Sequence, residues 1–264
     1  MERQEMINEF YTGYNEDHRL FKHRRGQLEM LTTMHYIHKL RPEPGELLEV
    51  GAGTGRYSIA LAKEGHRVTA VELAERNLEL LCQNAQGLDN LTALQGDAID
   101  LGRLPDDSFD LTLLLGPLYH LYEREDQLAA LREAVRVTRP GGYILTAFLS
   151  VYAILTDNYL RGNLLAGLEE NFTPDWQVRH FQDQLFTGFE VPEFEALFRE
   201  LPVRPITVAA ANGVLELAEG RTDFSMSDEE FEAFARWHLH FCEKREYLGA
   251  SSHLLHICQK GPLP

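Results

Sequence analysis

At 264 residues the chain is about one and a half times the usual span of a domain, so one elaborated domain is expected rather than two. With 44% hydrophobic and 25% charged residues, the composition excludes collagen-like, low-complexity and disordered classes. The 25 Lys+Arg against 41 Asp+Glu leave a net charge of −16, which repels phosphate backbones and anionic bilayers, so no nucleic acid and no membrane is expected as partner.

The segment from Met1 to Phe10 carries Glu2, Glu5 and Glu9 and no apolar run of the kind a signal peptide needs. From Gln27 to Leu40, Leu28, Leu31, Met34, His35 and His38 recur at helical spacing, and Pro42 and Pro44 follow. The next hundred residues alternate in type. Strands are expected at Glu46 to Val50, Arg67 to Glu72, Leu91 to Gln95, Asp110 to Leu115 and Tyr143 to Leu149. Helices fall between them, to about Lys63, from Ala74 to Ala85 and from Asp126 to Thr138, the last stopped by Pro140-Gly141-Gly142. Such alternation predicts an α/β fold with a Rossmann-like, doubly wound, mostly parallel sheet of about seven strands. Beyond Ser150, Val151 to Gly188 mixes Tyr152, Tyr159, Phe172, Trp176, Phe181 and Phe186 with polar residues and reads as a helical cap. A short helix at Val191 to Leu201, a strand around Ile206 to Ala211, a capping box at Ser227 to Glu230 that opens a helix, and a final strand from Ser252 to Gln259 complete the pattern.

The expected organisation is therefore an N-terminal helical preface (1–41), a cofactor-binding core (42–150), a helical cap insertion (151–190) and the remainder of the core (191–264) with an added helix near 227–247. Cys82, Cys242 and Cys258 are far apart and odd in number, which fits neither a disulfide framework nor a zinc knuckle and points to a reducing cytoplasm. The stretch Gly141 to Leu155 is too short and too polar to span a bilayer.

The sharpest signal is Glu49-Val50-Gly51-Ala52-Gly53-Thr54-Gly55, set between a strand and a helix. Glycines there let the backbone turn tightly and approach a ligand at a helix N-terminus. The second strand ends in Glu72, placed to accept hydrogen bonds from two ribose hydroxyls, and the third in Gln95-Gly96-Asp97, so three acids at successive strand ends describe a nucleoside pocket. These residues resemble the class I S-adenosylmethionine-dependent methyltransferases, whose acid followed by G-x-G-x-G is matched by Glu49, Gly51, Gly53 and Gly55. The dinucleotide fingerprint G-x-G-x-x-G would want glycine or alanine at position 56, where this chain has Arg56. The resemblance runs from about Glu46 to Leu149 and includes Arg139-Pro140-Gly141-Gly142. It is nearest to the small-molecule members related to quinone and sterol methyltransferases, and the N-P-P-Y signature of amino-group methylases on adenine or glutamine is absent.

The resemblance implies S-adenosylmethionine as cofactor and a small-molecule methyl acceptor, with oligomeric state left open. It implies ribose at Glu72, the adenine amino group at Asp97 and the methionine portion at Leu115 and Gly116, with Ala52, Leu73 and Ala98 beside them. Glu49 either ties the loop or meets the ligand, and Tyr11 and Tyr14 either close over the methionine end or dock on the surface. Acids and aromatic faces suit the sulfonium cation. Where the nucleophile arrives protonated a base is needed, and His120, after the fourth strand, is the candidate catalytic residue; the alternative is a packing role. His238, His240, His253 and His256 do not share a face, so no metal site is expected. The basic run Lys22-His23-Arg24-Arg25 either meets an acidic group of a ligand or forms a solvated face. The alternatives to a methyltransferase are a nicotinamide-linked oxidoreductase, which Arg56 disfavours, and a non-catalytic cofactor-binding partner, which has no need of an aromatic insertion.

Overall fold

The computed structural model describes residues 3–14, 16–160, 162–182 and 184–261. Met1, Glu2, Asn15, Arg161, Asp183 and residues 262–264, which fall within the ranges expected above, lie outside the described residues. The preface comprises α1 (Arg3–Gly13), a short α2 (Arg19–Lys22) and α3 (Arg24–Leu40). Glu219 carboxylate oxygens accept from the backbone N–H groups of Arg24 (2.7 Å) and Arg25 (3.1 Å), satisfying donors at the start of α3 that the helix itself cannot. The basic run is thereby absorbed in part: Arg24 also pairs with Asp228 and lies over the Phe231 ring, while Lys22 and His23 face a cavity described below.

The alternating region follows as β1 (Glu46–Val50), α4 (Arg56–Lys63), β2 (Arg67–Glu72), α5 (Glu75–Asn84), β3 (Leu91–Gln95), β4 (Phe109–Leu114), α6 (Arg124–Val137) and β5 (Thr138–Ser150). The insertion holds α7 (Val151–Ile154), a π-helical turn (Leu155–Tyr159), α8 (Leu164–Asn171) and the two-residue β6 (Gly188–Phe189). The chain then forms α9 (Val191–Ala196), β7 (Val203–Ala210), α10 (Leu215–Glu219), α11 (Asp228–Phe241), α12 (Arg245–Leu248) and β8 (His253–Lys260). The insertion is less helical than its composition predicts. Over 172–182 and 184–187 it runs through turns and extended pieces, held by bonds such as Thr173 N to Gln177 O (2.8 Å) and Gln184 N to Phe181 O (3.0 Å).

The sheet order is β3-β2-β1-β4-β5-β8-β7, with β6 beside the end of β5. All pairings are parallel except those of β8, which is antiparallel to both β5 and β7. Leu47, Leu48, Leu111, Leu113, Leu145 and Ile257 are fully buried, as strands covered on both faces require. Phe148 stacks on Phe194 at 3.9 Å between ring centroids, closing the core beneath α9. Because β8 runs backwards, its first residue, His253, pairs with Leu149 at the end of β5. The start of β8 therefore shares a rim with the carboxyl ends of β1, β2 and β4, where ligands of open α/β sheets bind.

Candidate active site

The loop after β1 takes the conformations its glycines allow: φ is +75° at Gly51, +56° at Gly53 and +85° at Gly55. A Cβ on Gly51 would lie 2.6 Å from Pro117 Cδ, so the first glycine is required by close packing against the turn after β4. A Cβ on Gly55 would meet Leu81 of α5 at 2.9 Å, and this residue does not line the pocket. Gly55 packs the head of α4 onto α5.

The remaining loop residues and strand ends surround one pocket. Glu49, Gly51, Ala52, Gly53, Glu72, Leu73, Asp97, Ala98, Leu115, Gly116 and His120 all line it. Tyr14 does not. It lies past the end of α1, 43% exposed and stacked on Phe10 at 5.2 Å, and it faces a second cavity. Tyr11, one helical turn earlier, lines both.

The acids are held by the backbone they follow. Glu49 Oε2 accepts from Ser58 N (2.9 Å) and from the Ser58 hydroxyl, so the carboxyl ties β1 to α4 while one edge faces the pocket. Burial pushes it up to about 8. Glu72 accepts from Gly53 N at 2.6 Å and from Ala74 N at 2.8 Å, binding the glycine loop to the start of α5, and burial pushes it up to about 7. Asp97 accepts from Ile99 N (3.3 Å) and pairs with Arg3 of α1. That ion pair, with Glu75 N donating to Asn8 Oδ1 (3.1 Å), fastens α1 across the pocket.

His120 ends a short 3₁₀ turn, Pro117–His120. Its Nδ1–H donates to Leu185 O at 2.7 Å, which leaves Nε2 to accept from the Tyr11 hydroxyl at 3.1 Å. Burial drives the imidazole down to about 4, so it is neutral at ordinary pH with both nitrogens engaged. Thr187 N donates to Tyr119 O (2.8 Å), so the insertion is stitched to this turn twice.

Beyond Tyr119 lies a cavity of about 970 Å³. It shares Tyr11, Glu16, Arg19 and Tyr119 with the first pocket. Phe10, Tyr14, Phe186, Leu149 and Ile154 form apolar walls, and Asn212, Glu216, Ser252 and His253 a polar floor. Between the two, Arg19 donates to Glu16 (2.8 Å) and, bidentately, to Glu29 (2.8 and 2.9 Å). Although burial opposes ionisation of Glu29, the Arg19 charge, His253 and the Arg19 hydrogen bond hold it below the usual carboxylate range. Sequence reasoning missed Arg3, Glu16, Arg19, Asn77, Glu216 and the part played by His253, because each reaches the site from a segment without a motif.

Residues 48–146 match a family described as a methyltransferase domain. A demethylmenaquinone methyltransferase of Staphylococcus aureus (strain JH9) is 35% identical over 181 residues, covering 63% of this chain and 70% of that protein. One of Clavibacter sepedonicus is 33% identical over 141 residues, covering 53% and 55%. The chain spans 43 to 60% of the length of the first curated relatives it matches. Among solved structures, the 1,6-didemethyltoxoflavin-N1-methyltransferase of Burkholderia thailandensis, with 1,6-didemethyltoxoflavin and S-adenosylhomocysteine bound, matches at a TM-score of 0.59 and 16% identity over 98% of this chain and 87% of that one. The chain belongs to the S-adenosylmethionine-dependent methyltransferase family.

The pocket fits the cofactor of that family. Gly53 exposes backbone toward it, a Cβ there meeting nothing nearer than Glu16 Cγ at 3.4 Å. Thr54 Oγ1 is buried beside it with no protein partner, as a polar atom reserved for a ligand would be. Glu16, Glu72 and the rings of Tyr11 and Tyr119, groups that can face a sulfonium, line the pocket together with Arg3, Arg19 and Arg56. Among the described residues no group of three or more His, Cys, Asp or Glu is arranged to hold a metal ion, and no helix is long and apolar enough to cross a membrane.

Proposed function

We propose that this protein is an enzyme that transfers the methyl group of S-adenosylmethionine to a small-molecule acceptor. The observation that carries the reading is the junction of the two cavities: a glycine-loop pocket at the strand ends opens, past Tyr11, Glu16, Arg19 and Tyr119, into a separate chamber with apolar walls. A protein that only bound the cofactor would not need the chamber. When bound, the cofactor supplies an electrophilic methyl carbon on a positively charged sulfur.

The chain's own residues bind, orient and exclude water. In this reading Glu72 and Asp97 hold the nucleoside, the backbone at Gly51 to Gly53 lies against the ligand, and Leu115 and Gly116 border the methionine portion. Ligand at Asp97 shares that carboxylate with Arg3 or displaces it. The insertion forms a chamber wall through Ala153, Ile154 and Phe186, which supports assigning acceptor choice to it. His120, neutral and hydrogen-bonded by Tyr11, keeps the Tyr11 ring at the junction.

Calorimetry with S-adenosylmethionine, S-adenosylhomocysteine and NAD tests the cofactor, and a metabolite screen for radiolabelled methyl transfer tests the acceptor. Binding of the two sulfur compounds with no measurable NAD binding is expected. Tighter binding of NAD would overturn the reading.

A further inference from the structure

Resting on the methyl-transfer reading above, we propose that His253 takes the proton from the acceptor, and that the acceptor presents a hydroxyl on an aromatic ring. A count of hydrogens on the chamber floor carries this. Asn212 Nδ2 has two, donated to Ser252 Oγ at 2.8 Å and Glu216 Oε2 at 3.1 Å. The amide orientation is fixed by Oδ1, which accepts from His253 N at 3.3 Å; Ser251 Oγ, 2.8 Å from Oδ1, also has His253 O as acceptor at 2.6 Å. The Ser252 hydroxyl hydrogen goes to Glu216. Ser252 Oγ also lies 3.1 Å from His253 Nδ1, and with its own hydrogen spent it accepts there. Asn212 Nδ2 also lies 3.2 Å from Nδ1, and in the arrangement proposed its two hydrogens go to the two nearer acceptors. In that arrangement His253 carries its proton on Nδ1 and keeps a lone pair on Nε2.

Two carboxylates stand beside the imidazole. Nδ1 is 4.0 Å from Glu29 Oε2, on α3, and 3.9 Å from Glu216 Oε2, on α10. Arg19 stands behind Glu29, and the Tyr119 ring meets the imidazole edge-on at 6.3 Å. A carboxylate next to the non-reacting nitrogen orients an imidazole and stabilises its cation. His120 has no such support, and both its nitrogens are taken.

The acceptor class follows from what such a base can do. An acidic thiol ionises unaided, and an aliphatic hydroxyl is a poorer match in acidity for imidazole than a ring hydroxyl. An ammonium would compete for carboxylates already satisfied by Arg19, Asn212 and Ser252. A ring hydroxyl, with a pKa of about 10 in the simplest case, is within reach. The rings of Phe10, Tyr119 and Phe186, the first and third meeting at 5.4 Å and the second and third at 6.1 Å, offer faces and edges to a flat molecule. In the step, the hydroxyl proton passes to His253 Nε2, a bond forms from the ring oxygen to the methyl carbon, the carbon–sulfur bond breaks, and its electron pair stays on sulfur as S-adenosylhomocysteine leaves.

The test uses 4-nitrophenol, whose anion is yellow, with the full chain saturated with S-adenosylhomocysteine. The bound probe should ionise at least tenfold more readily than the free compound, a shift of about one pH unit. His253→Gln should bind it comparably but ionise it as water does, and Glu216→Gln should lose part of the shift. Absence of probe binding, an unshifted titration, or a shift that survives in folded His253→Gln overturns the proposal. Should that variant fail to fold, the nitrogen-15 spectrum of the native protein decides, because an Nε2–H tautomer of His253 overturns it equally. Failure of the native protein to bind S-adenosylhomocysteine in calorimetry would instead sink the methyl-transfer reading.

Discussion

Glu72→Gln probes the acid at the end of β2 through its linkage to pH. Burial pushes this carboxyl up to about 7, against about 4.5 in an open chain, so the folded state holds the proton more tightly than the unfolded one. Stability must then fall as pH rises: the unfolded chain loses its proton first, and the folded protein is left with a buried charge as pH passes through 7. Between pH 5.5 and 8.5 this one group costs about 2 kcal/mol, and Glu49, pushed up to about 8, acts in the same direction. In the glutamine variant one of the two N–H bonds, from Gly53 or Ala74, is lost, lowering stability by about 1 to 3 kcal/mol at every pH. Urea unfolding at several pH values should give a curve that lies lower at pH 5.5, is flatter by about 2 kcal/mol, and approaches the native one at pH 8.5. A variant curve parallel to the native one would refute the assignment of the titration to Glu72.

Arg19→Met should cost about 3 to 5 kcal/mol, since Glu29 would stay buried and charged without its bidentate partner, and Arg19→Met/Glu29→Leu should recover most of it in thermal melts. Gly51→Ala, with φ at +75° and its methyl 2.6 Å from Pro117 Cδ, should lose about 1 to 3 kcal/mol and abolish cofactor binding measured by calorimetry. His120→Ala should leave any limb near neutrality in the pH profile of kcat/KM unchanged, because the imidazole, driven down to about 4, is already neutral there; loss of that limb would restore His120 as the base.

The parallel half of the sheet was legible because each strand is an apolar run between a turn and an amphipathic helix. β5 begins at Thr138, ahead of its expected start at Tyr143, since Gly141, at φ +80°, and the register shift opposite Phe109 to Leu111 let the strand continue through the Pro-Gly-Gly break. α1 left no clear signature. It buries one residue, Ile7, and is fastened by Arg3 to Asp97 and Asn8 to Glu75, contacts made only in the folded chain. The glycine loop at the strand ends was legible because its left-handed turns require local residue types, and Gly55 among them serves packing against α5. The chamber had no comparable signal. Its parts come from α1, α2, α3, the turn after β4, the insertion, α10 and the start of β8, and no spacing in the sequence links Glu29 to His253.

The reversed β8 also has a consequence for how the chain is made. It slots between β5 and β7, both of which leave the ribosome earlier, so one long edge of β5, carrying Leu145 and Phe148, stands unpaired until more than a hundred further residues have been synthesised. The glycine-loop half can assemble from contiguous sequence meanwhile, but the floor that holds His253 cannot. An apolar edge kept open for so long invites pairing with another nascent chain. Chaperone dependence and slow acquisition of the chamber, after rapid formation of the parallel strands, are the expected signature of a topology in which the middle of the sheet is filled last.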